Sequence, residues 1–192
     1  EISGWDEKKG KLPPGKGIGI GCGTFVSGAG YPIYRTRLPQ AGAVIKVSEQ
    51  GDKATLYIGA VDIGQGSDTI LAQMAAEAMG VNYEDIRVIA ADTDVTPHDF
   101  GAYSSRQTLM SGAAVKQAGE EVRRQVLELA AEMLEANVED VSIRKRTISV
   151  KDRPDRVLDF AQVASEFFIR KGPLVGRGSY TPPKLGGTQK GA

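Results

Sequence analysis

The most regular pattern of apolar residues lies in the second half of the chain, between Ser111 and Ala136. Its apolar residues recur at spacings of three and four: Val115, Ala118, Val122, Val126, Leu129 and Met133. This period predicts a long amphipathic helix with one buried face. A second helix is predicted from Ser67, which can cap the first turn, to Gly80, a natural stop. A shorter third helix is predicted from Asp159, which lies at its cap position, to about Ile169.

Shorter apolar runs, bounded by glycine and polar residues, predict strands. These runs are Gly17–Ser27, Ala43–Ser48, Ala54–Ala60, Ile86–Ala91, Val141–Ile143, Thr147–Val150 and Leu174–Tyr180. Two pairs of them are separated by only a few polar residues and are predicted to form hairpins. The turn Arg144-Lys145-Arg146 in the second hairpin is expected to be solvated. Because hairpins alternate with helical crossovers, the order predicts an α+β fold with a mixed sheet, hairpins and two main helices.

Three parts of the chain differ in composition. Residues 1–16 carry a cluster of charges, and we interpret them as a lead-in segment. Residues 17–180 contain all the predicted elements and are expected to form one α+β domain, whereas residues 181–192 are a tail rich in glycine and proline. The chain begins with Glu1 and ends within that glycine-rich stretch. We therefore expect it to be an internal piece of a longer protein.

Charge and cysteine content narrow the range of partners. The chain carries 24 basic and 24 acidic side chains, so its formal net charge is zero and nothing favours nucleic acid as a partner. No apolar run is long enough for a membrane span, and no signal-peptide pattern is present. The single cysteine, Cys22, excludes an internal disulfide framework and a cysteine-rich metal site, and we interpret it as a small buried hydrophobic residue. These features predict a cytoplasmic protein.

Two segments concentrate the polar chemistry. The loop 92–112 follows a predicted strand and is rich in hydroxyl groups, with Ser104, Ser105 and Arg106 in its second half. A loop of about 20 residues is unusual inside a compact domain and is more often functional than idle. The turn Gly64-Gln65-Gly66 presents one amide side chain between two glycines, directly before a predicted helix. Backbone amides at a helix start favour anions, so we expect both segments to converge on an anionic, polar ligand.

Other kinds of chemistry fit the sequence less well. His98 and Asp99, with the serine pair, suggest a Ser–His–Asp hydrolase, but the G-x-S-x-G turn is absent and the order of the residues differs from the usual layouts. Asp92 and Asp94 are interpreted as turn-forming residues that bond to their own backbone. Arg106 is compatible with either a ligand contact or an ordinary salt bridge. We therefore predict neither catalytic nor metal-binding residues in this chain.

The two polar segments also carry a family resemblance. The turn VDIGQGSDT and, about thirty residues later, VIAADTDVTPHDFGAYSSRQTLMSGAAV resemble the molybdenum-cofactor-binding region of the xanthine dehydrogenase/aldehyde oxidase family. The stretches GWDEKKGKLPPGKGIGIG and GRGSYTPPK are similar to the large subunit of the 4-hydroxybenzoyl-CoA reductase branch. The resemblance spans almost the whole chain. The GQG turn combined with the SSR loop at this spacing is more specific than either motif alone.

The resemblance implies that the chain helps to bind a molybdopterin dinucleotide, which in bacteria is usually the cytosine form. The molybdenum would be held by the dithiolene of the pterin and not by cysteines of the protein. The positions that match cofactor-binding residues of the family are Gly64, Gln65, Gly66, Ser104, Ser105 and Arg106. Gln65 matches the amide that bonds to the cofactor, and the two serines match donors around the pterin and the phosphates.

The family's catalytic glutamate and a further glycine-rich motif with phenylalanine have no match in these 192 residues. We therefore expect no activity from this piece alone. The resemblance implies, as partners, the rest of the molybdenum subunit and iron–sulfur and FAD subunits or domains. It favours an aromatic CoA thioester or an N-heteroaromatic compound as the substrate. The residues leave a second interpretation open, a non-catalytic module that binds a nucleotide-like anion or another subunit.

Overall fold

A computed structural model describes residues 3–23 and 37–182 of the chain. These residues form four α-helices and seven strands, besides two single-turn 3-10 helices. In chain order the elements are α1 (Trp5–Lys8), β1 (Ala41–Val47), β2 (Ala54–Ile58), α2 (Ser67–Met79), β3 (Ile86–Ala90), α3 (Gln107–Met133), β4 (Val141–Arg144), β5 (Thr147–Val150), β6 (Arg153–Asp159), α4 (Phe160–Lys171) and β7 (Val175–Tyr180). The predicted α+β class, with a mixed sheet and two main helices, is confirmed.

The larger sheet has the strand order β3-β2-β1-β7. β2 and β3 are parallel and are connected by α2, whereas β1 is antiparallel to both of its neighbours. Alternate residues of β1 and β2 are buried, as the two-residue period of a strand requires when one face is covered. α3 covers β1 and β7, and α2 packs beside α3 and against β3. Both long helices therefore lie against the same sheet.

Glycines set how closely α3 approaches its neighbours. A Cβ at Gly176 or Gly178 in β7 would lie 2.0 Å from the carbonyl oxygen of Ala118 or Ala114 in α3, so the helix lies directly on the strand backbone. Gly119 of α3 similarly faces Ala78 of α2. A side chain at any of these positions would push the layers apart. This close packing fixes the position of α3, and with it the position of the loop that leads into α3.

A second sheet contains β4, β5 and β6, and α4 contacts β6. Arg146, which was expected to lie in a solvated turn, is mostly buried instead. Its guanidinium pairs with Asp85 at 3.1 Å and with Asp159 at 3.3 Å. It also donates to the carbonyl oxygens of Gly51 and Asp52. The prediction of a solvated turn was wrong at this position because the turn packs against three other segments, which the local run of basic residues does not reveal.

Most predicted elements are confirmed, and several details are wrong. β6 was not predicted, because its run of charged residues lacks an apolar period. Ser67 is the first helical residue of α2 and not its cap; Gly66 precedes the helix with a φ of 78°. The glycine-rich strand predicted for Gly17–Ser27 is not formed at residues 17–23, where alternating glycines offer little side chain to bury. Its residues 24–27 lie outside the described residues, and Cys22 is exposed instead of buried.

No helix within residues 3–23 and 37–182 is both long enough and apolar enough to cross a membrane.

Candidate functional site

The two polar segments leave the larger sheet at the same edge. The turn 61–66 follows β2 and the loop 91–106 follows β3, and these strands are parallel neighbours. The loop then crosses over the start of β1, where the amide of Gly42 donates to the carbonyl oxygen of His98 at 3.1 Å. A Cβ at Gly59 would lie 2.3 Å from the carbonyl oxygen of Pro97, so only glycine permits this crossing. The carboxyl ends of parallel strands are where open α/β sheets bind ligands.

Both long helices begin at this edge. α2 follows the turn, and α3 follows the loop. Gly112 near the start of α3 faces Met74 of α2, and Gly119 further along faces Ala78, so the two helices run in the same direction. The positive ends of both helix dipoles therefore lie at the edge that carries the two polar segments.

The turn before α2 is closed by its own side chains. The carboxylate of Asp62 accepts hydrogen bonds from the amides of Gly64 at 2.8 Å, Gly66 at 3.3 Å and Asp68 at 3.4 Å. The side-chain amide of Gln65 donates to the carbonyl oxygen of Val61 at 2.9 Å and accepts from the amide of Ile63 at 2.7 Å. The amides that were expected to meet an anion at this helix start are therefore already bonded to Asp62.

The two carboxylates at this helix start differ in pKa. Hydrogen bonds from the backbone, of which that from Gly64 is the strongest, hold the pKa of Asp62 below its usual value of 3.8. Burial raises the pKa of Asp68 above 3.8, and the neighbouring Asp62 carboxylate raises it further. The ionised form of Asp62 is therefore favoured, whereas the ionised form of Asp68 is disfavoured.

The loop before α3 holds strained backbone. Ser104 and Ser105 have φ values of 51° and 56°, in the left-handed region that residues with a side chain rarely adopt. Such conformations cost on the order of 1–3 kcal/mol and persist only where the surroundings impose them. Earlier in the loop, Asp92 accepts from the amide of Asp94 at 3.0 Å, which confirms the turn-forming role predicted for Asp92.

Arg106, the residue before α3, is completely buried. Its guanidinium donates to the carboxylate of Asp99 and to the carbonyl oxygen of Gly101, both at 2.7 Å, and to the carbonyl oxygen of Gln40. The aromatic ring of Tyr103 lies against the guanidinium at 5.5 Å. These contacts tie the loop to the start of β1. The salt-bridge interpretation that the sequence left open for Arg106 matches this geometry.

The network continues into the first turns of α3. The hydroxyl of Ser111 lies 2.7 Å from the carboxylate of Asp99 and 2.7 Å from the side-chain amide of Gln107. A hydroxyl has one proton, so if Ser111 donates to Asp99 it must accept from the nitrogen of the Gln107 amide. In either orientation of that amide, one of its buried polar atoms has no partner. The first turn of α3 thus contains unused hydrogen-bonding capacity.

Unpaired buried polar atoms are concentrated at the site edge. Among the residues that the structure describes, they are Gln40 Oε1, Ser67 Oγ, Asp68 Oδ1, Arg106 Nε and one polar atom of the Gln107 amide. These residues lie at the start of β1, α2 or α3. Buried polar groups in proteins are normally paired, and each one left unpaired costs about 1–3 kcal/mol. Their concentration at one edge indicates that a polar ligand, or ordered solvent in its place, completes their bonding.

The structure brings the predicted site residues to one edge but gives them different environments. Gly64, Gln65 and Gly66 lie in the turn before α2, whereas Ser104, Ser105 and Arg106 lie in the loop before α3. Gln65 and Ser105 are exposed, and Arg106 is buried. The hydrolase arrangement is not formed, because Asp99 bonds to Arg106 and Ser111 while His98 packs edge-to-face against Phe100. Within the described ranges, no group of three or more histidine, cysteine or acidic residues is placed to hold a metal ion.

Sequence reasoning missed two residues that shape the site. Asp62 could have been found, because an aspartate two residues before a glycine often bonds to the backbone of the following turn. The partnership of Asp99 with Arg106 spans seven positions of irregular chain, and no periodic pattern marks it. A pair of this kind, within irregular chain, can be recognised only when the path of the loop over the sheet is known.

Comparison with known proteins gives a consistent result. The family model of the molybdopterin cofactor-binding domain matches residues 1–192. The xanthine dehydrogenase molybdenum-binding subunit of Escherichia coli O157:H7 is 34% identical over 182 residues, which are 90% of this chain and 24% of that protein. The 6-hydroxypseudooxynicotine dehydrogenase complex subunit gamma of Paenarthrobacter nicotinovorans is 30% identical over 185 residues, 96% of this chain and 22% of that protein. The chain therefore spans about a quarter of the length of these curated relatives.

A solved structure agrees with this assignment. Quinoline 2-oxidoreductase from Pseudomonas putida 86 superposes with a TM-score of 0.68 at 31% sequence identity, over 75% of this chain and 19% of that one. The family match covers the whole chain, and the structural match covers 75% of it. The chain therefore belongs to the molybdopterin cofactor-binding domain family, among the molybdoenzymes related to xanthine dehydrogenase.

Proposed function

We propose that this chain forms one wall of the cofactor site of a molybdenum hydroxylase and binds a molybdopterin dinucleotide through the starts of α2 and α3. The observation that carries the proposal is the concentration of unpaired buried polar atoms at that edge. A molybdopterin dinucleotide offers ring nitrogens, an amino group and phosphate oxygens, which are the kinds of partner these atoms lack. When bound, the cofactor would supply the redox chemistry of the metal.

The hydrogen-bonding groups at this edge of the sheet fit a ligand that is held by many hydrogen bonds, and not one whose metal is bound directly by side chains. Gln65 uses one donor and one acceptor position within its turn, and its amide has a second N–H and a second lone pair available at the surface. Ser105 is also exposed, on strained backbone that the buried Arg106 holds in place. In this proposal Gln65, Ser104 and Ser105 contact the cofactor, Gly64 and Gly66 shape the turn, and Arg106 positions the loop.

We further propose the cytosine form of the dinucleotide, with iron–sulfur and FAD components as electron-transfer partners. An N-heteroaromatic compound or an aromatic CoA thioester is the proposed substrate class. The structural similarity to quinoline 2-oxidoreductase supports the first of these, because its name specifies an N-heteroaromatic ring. The second is proposed from the resemblance of the stretches GWDEKKGKLPPGKGIGIG and GRGSYTPPK to the 4-hydroxybenzoyl-CoA reductase branch. The catalytic group is expected outside these residues, so the chain alone should show no turnover.

The test replaces Gln65 in the complete protein that contains this chain. Gln65→Ala removes the side chain that the proposal places against the cofactor, and the unpaired groups left behind should cost about 1–3 kcal/mol of binding. Molybdenum content should fall strongly, while the melting temperature of cofactor-free protein should fall only slightly, because the two bonds that Gln65 makes within its turn are exposed to solvent. Gln73→Ala is the control, since Gln73 is an exposed glutamine further along α2.

Full molybdenum content in Gln65→Ala would show that the Gln65 side chain does not contribute to cofactor binding. Loss of molybdenum in both variants would indicate a general effect on α2. If the wild-type protein binds a nucleotide but no molybdenum, the alternative of a non-catalytic nucleotide-binding module replaces the proposed function.

A further inference from the structure

β3 and β7 are the two edge strands of the larger sheet, and their outer edges differ. We infer that the sheet is extended at one of them only. The outer edge of β3 pairs with an extended segment of the same polypeptide, outside residues 1–192, whereas α3 closes the outer edge of β7. This pairing is a step of assembly and is independent of cofactor binding.

The edge of β7 is closed by side chains of α3. Three residues of β7 bond through backbone groups that point away from β1: Val175 to Gln125 at 2.9 Å, Arg177 to Glu121 at 2.6 Å and Ser179 to Gln117 at 3.1 Å. The side chains recur every four residues of the helix, and their partners recur every two residues of the strand. These steps match, because four helical residues rise about 6 Å and two strand residues about 6.7 Å. An incoming strand would have to displace all three side chains.

The outer edge of β3 has no comparable cover within residues 3–23 and 37–182. The amide of Ala91 donates to the carbonyl oxygen of Ile58 in β2 at 3.1 Å. Successive amides of a strand point to opposite sides, so the amides of Val88 and Ala90 point away from β2. No group in the described part of the chain accepts from these two amides. An edge without a bulge or a proline is a ready template for another strand.

The side chains of β3 are also incompletely covered. Ile86, Val88 and Ala90 pack against the core but are only partly buried, whereas Leu56 and Ile58 beside them in β2 are completely buried. Four of the five residues of β3 are apolar, a composition typical of interior strands. A further strand beside β3 would continue the sheet and bury the remaining apolar surface.

The side chains of β3 define the segment that it would bind. Arg87 is exposed and is the one charged residue of β3, so an acidic side chain opposite it would be favoured. Val88 and its partly buried neighbours lie on the other face, where the segment should carry apolar residues at alternate positions. The expected partner is therefore an extended, mainly apolar segment with an acidic residue on the face of Arg87.

The same polypeptide is the source that fits best. The chain spans 24% and 22% of the length of two curated relatives, so about three quarters of a polypeptide of that size lie outside it. A segment of the same polypeptide is also present at a high effective concentration. A second copy of the chain fits less well. A symmetric pair centred on Val88 would place both Arg87 side chains on one face, diagonally about 7–8 Å apart.

Residue-resolved hydrogen–deuterium exchange on the complete protein tests the pairing with an internal control. The amides of Arg87 and Ile89 point towards β2, whereas those of Val88 and Ala90 are protected only by an added strand. We expect all four amides to exchange at rates within about tenfold of one another. A larger difference, with Val88 and Ala90 faster than Arg87 and Ile89, would show an open edge and overturn the inference.

The source of the strand is tested by the same measurement on the complete polypeptide as a monomer, with its mass verified by light scattering. A strand of the same polypeptide should keep the amides of Val88 and Ala90 protected. Protection that is lost in the monomer would assign the strand to a second copy or to another subunit and would overturn the inference.

A matched pair of proline substitutions gives a second readout. Val88→Pro and Ser179→Pro each remove an outward amide from an edge strand and leave the bonds to β2 or β1 in place. Val88→Pro should lower the melting temperature of the complete protein more, because it removes a bond between paired strands. The amide of Ser179 bonds only to an exposed side chain. An equal or smaller effect of Val88→Pro would contradict pairing at β3.

Discussion

Helices α4 and α3 begin in opposite ways. The first turn of α4 is closed locally, since Asp159 accepts from the amide of Ala161 at 2.8 Å and the Gln162 side chain accepts from the amide of Asp159 at 3.1 Å. α3 has no side-chain cap. It follows a buried arginine and two serines in left-handed conformation. The first turn of α4 needs no partner beyond the fold, whereas the start of α3 combines strained backbone, a buried charge and amides without an acceptor in the helix, as the proposed ligand site requires.

The largest effect is expected from the charge buried beneath the start of α3. Arg106→Met should lower the free energy of unfolding by about 3–5 kcal/mol, because it leaves the Asp99 carboxylate buried without its counter-ion. Urea denaturation measures the change. Lys116→Met is the control, because Lys116 and Glu120 form an exposed pair on the same helix. Such pairs contribute at most about 1 kcal/mol. Equal changes in the two variants would show that the buried pair has no special role.

The cap of α4 should matter less for stability and not at all for the cofactor. Asp159→Ala removes the capping bond and should cost about 1 kcal/mol, within the usual range of about 0.5–2 kcal/mol. Its ion pair with Arg146 is half exposed on the Asp159 side and adds little. Molybdenum content of the complete protein should be unchanged at a temperature well below melting. A loss of cofactor in this variant would contradict the separation of the two helix starts.

The strain at the start of α3 can be tested without removing a charge. Ser105→Gly should change stability by less than about 1 kcal/mol, because relief of the left-handed conformation is offset by the greater freedom of the unfolded chain. The loop should nevertheless hold the cofactor less well, since glycine permits more backbone conformations and lacks the hydroxyl that contacts the cofactor in the proposed function. Glu135→Gly is the control, because Glu135 also has a positive φ, of 47°, but lies after the end of α3. Only the variant at position 105 should lose molybdenum.

The smallest effect concerns acid. The pKa of Asp62 is lowered in the folded chain, so its contribution to stability is present above its usual value of 3.8 and is lost as the pH falls through the lowered value. Asp68 acts in the opposite sense: its pKa is raised, so stability is lost as the pH rises from 3.8 through the raised value. In Asp62→Asn, the loss of stability below pH 3.8 should therefore be less steep than in the wild type. Melting temperatures measured across the acid range check this, and parallel curves would contradict it.

The comparison of α4 with α3 also shows what the sequence could predict. The cap of α4 was predicted correctly, because the capping aspartate and the backbone amide that it bonds are only two residues apart in the sequence. The start of α3 was placed at Ser111 instead of Gln107. Its first residues carry no apolar period, and the contacts that hold them come from Asp99 and Gln40. A helix cap depends on neighbouring residues and can be read from the sequence. The site depends on contacts between the loop before α3 and the start of β1, which form only when the sheet is assembled.

The site residues divide in the same way. Gln65 was selected from the two glycines beside it, and its turn lies at the same edge as the loop before α3; its contact with a ligand stays a prediction. Asp62 and Asp68, which give that turn its charge, were not selected; the spacing of Asp62 to Gly64 suggests a turn-forming residue, but neither aspartate is distinguished by sequence from an ordinary residue near a helix start. Their roles follow from which amides are bonded and which oxygens are unpaired, and those facts require coordinates.

The central claim is that one ligand binds at the starts of α2 and α3 together. Hydrogen–deuterium exchange on the complete protein, with and without its molybdenum cofactor, tests it most directly. The account predicts that cofactor binding slows exchange in residues 61–68 and 104–109 and leaves the start of α4 unchanged. Protection of residues 61–68 and 104–109 no greater than that around Ala161 would contradict the claim.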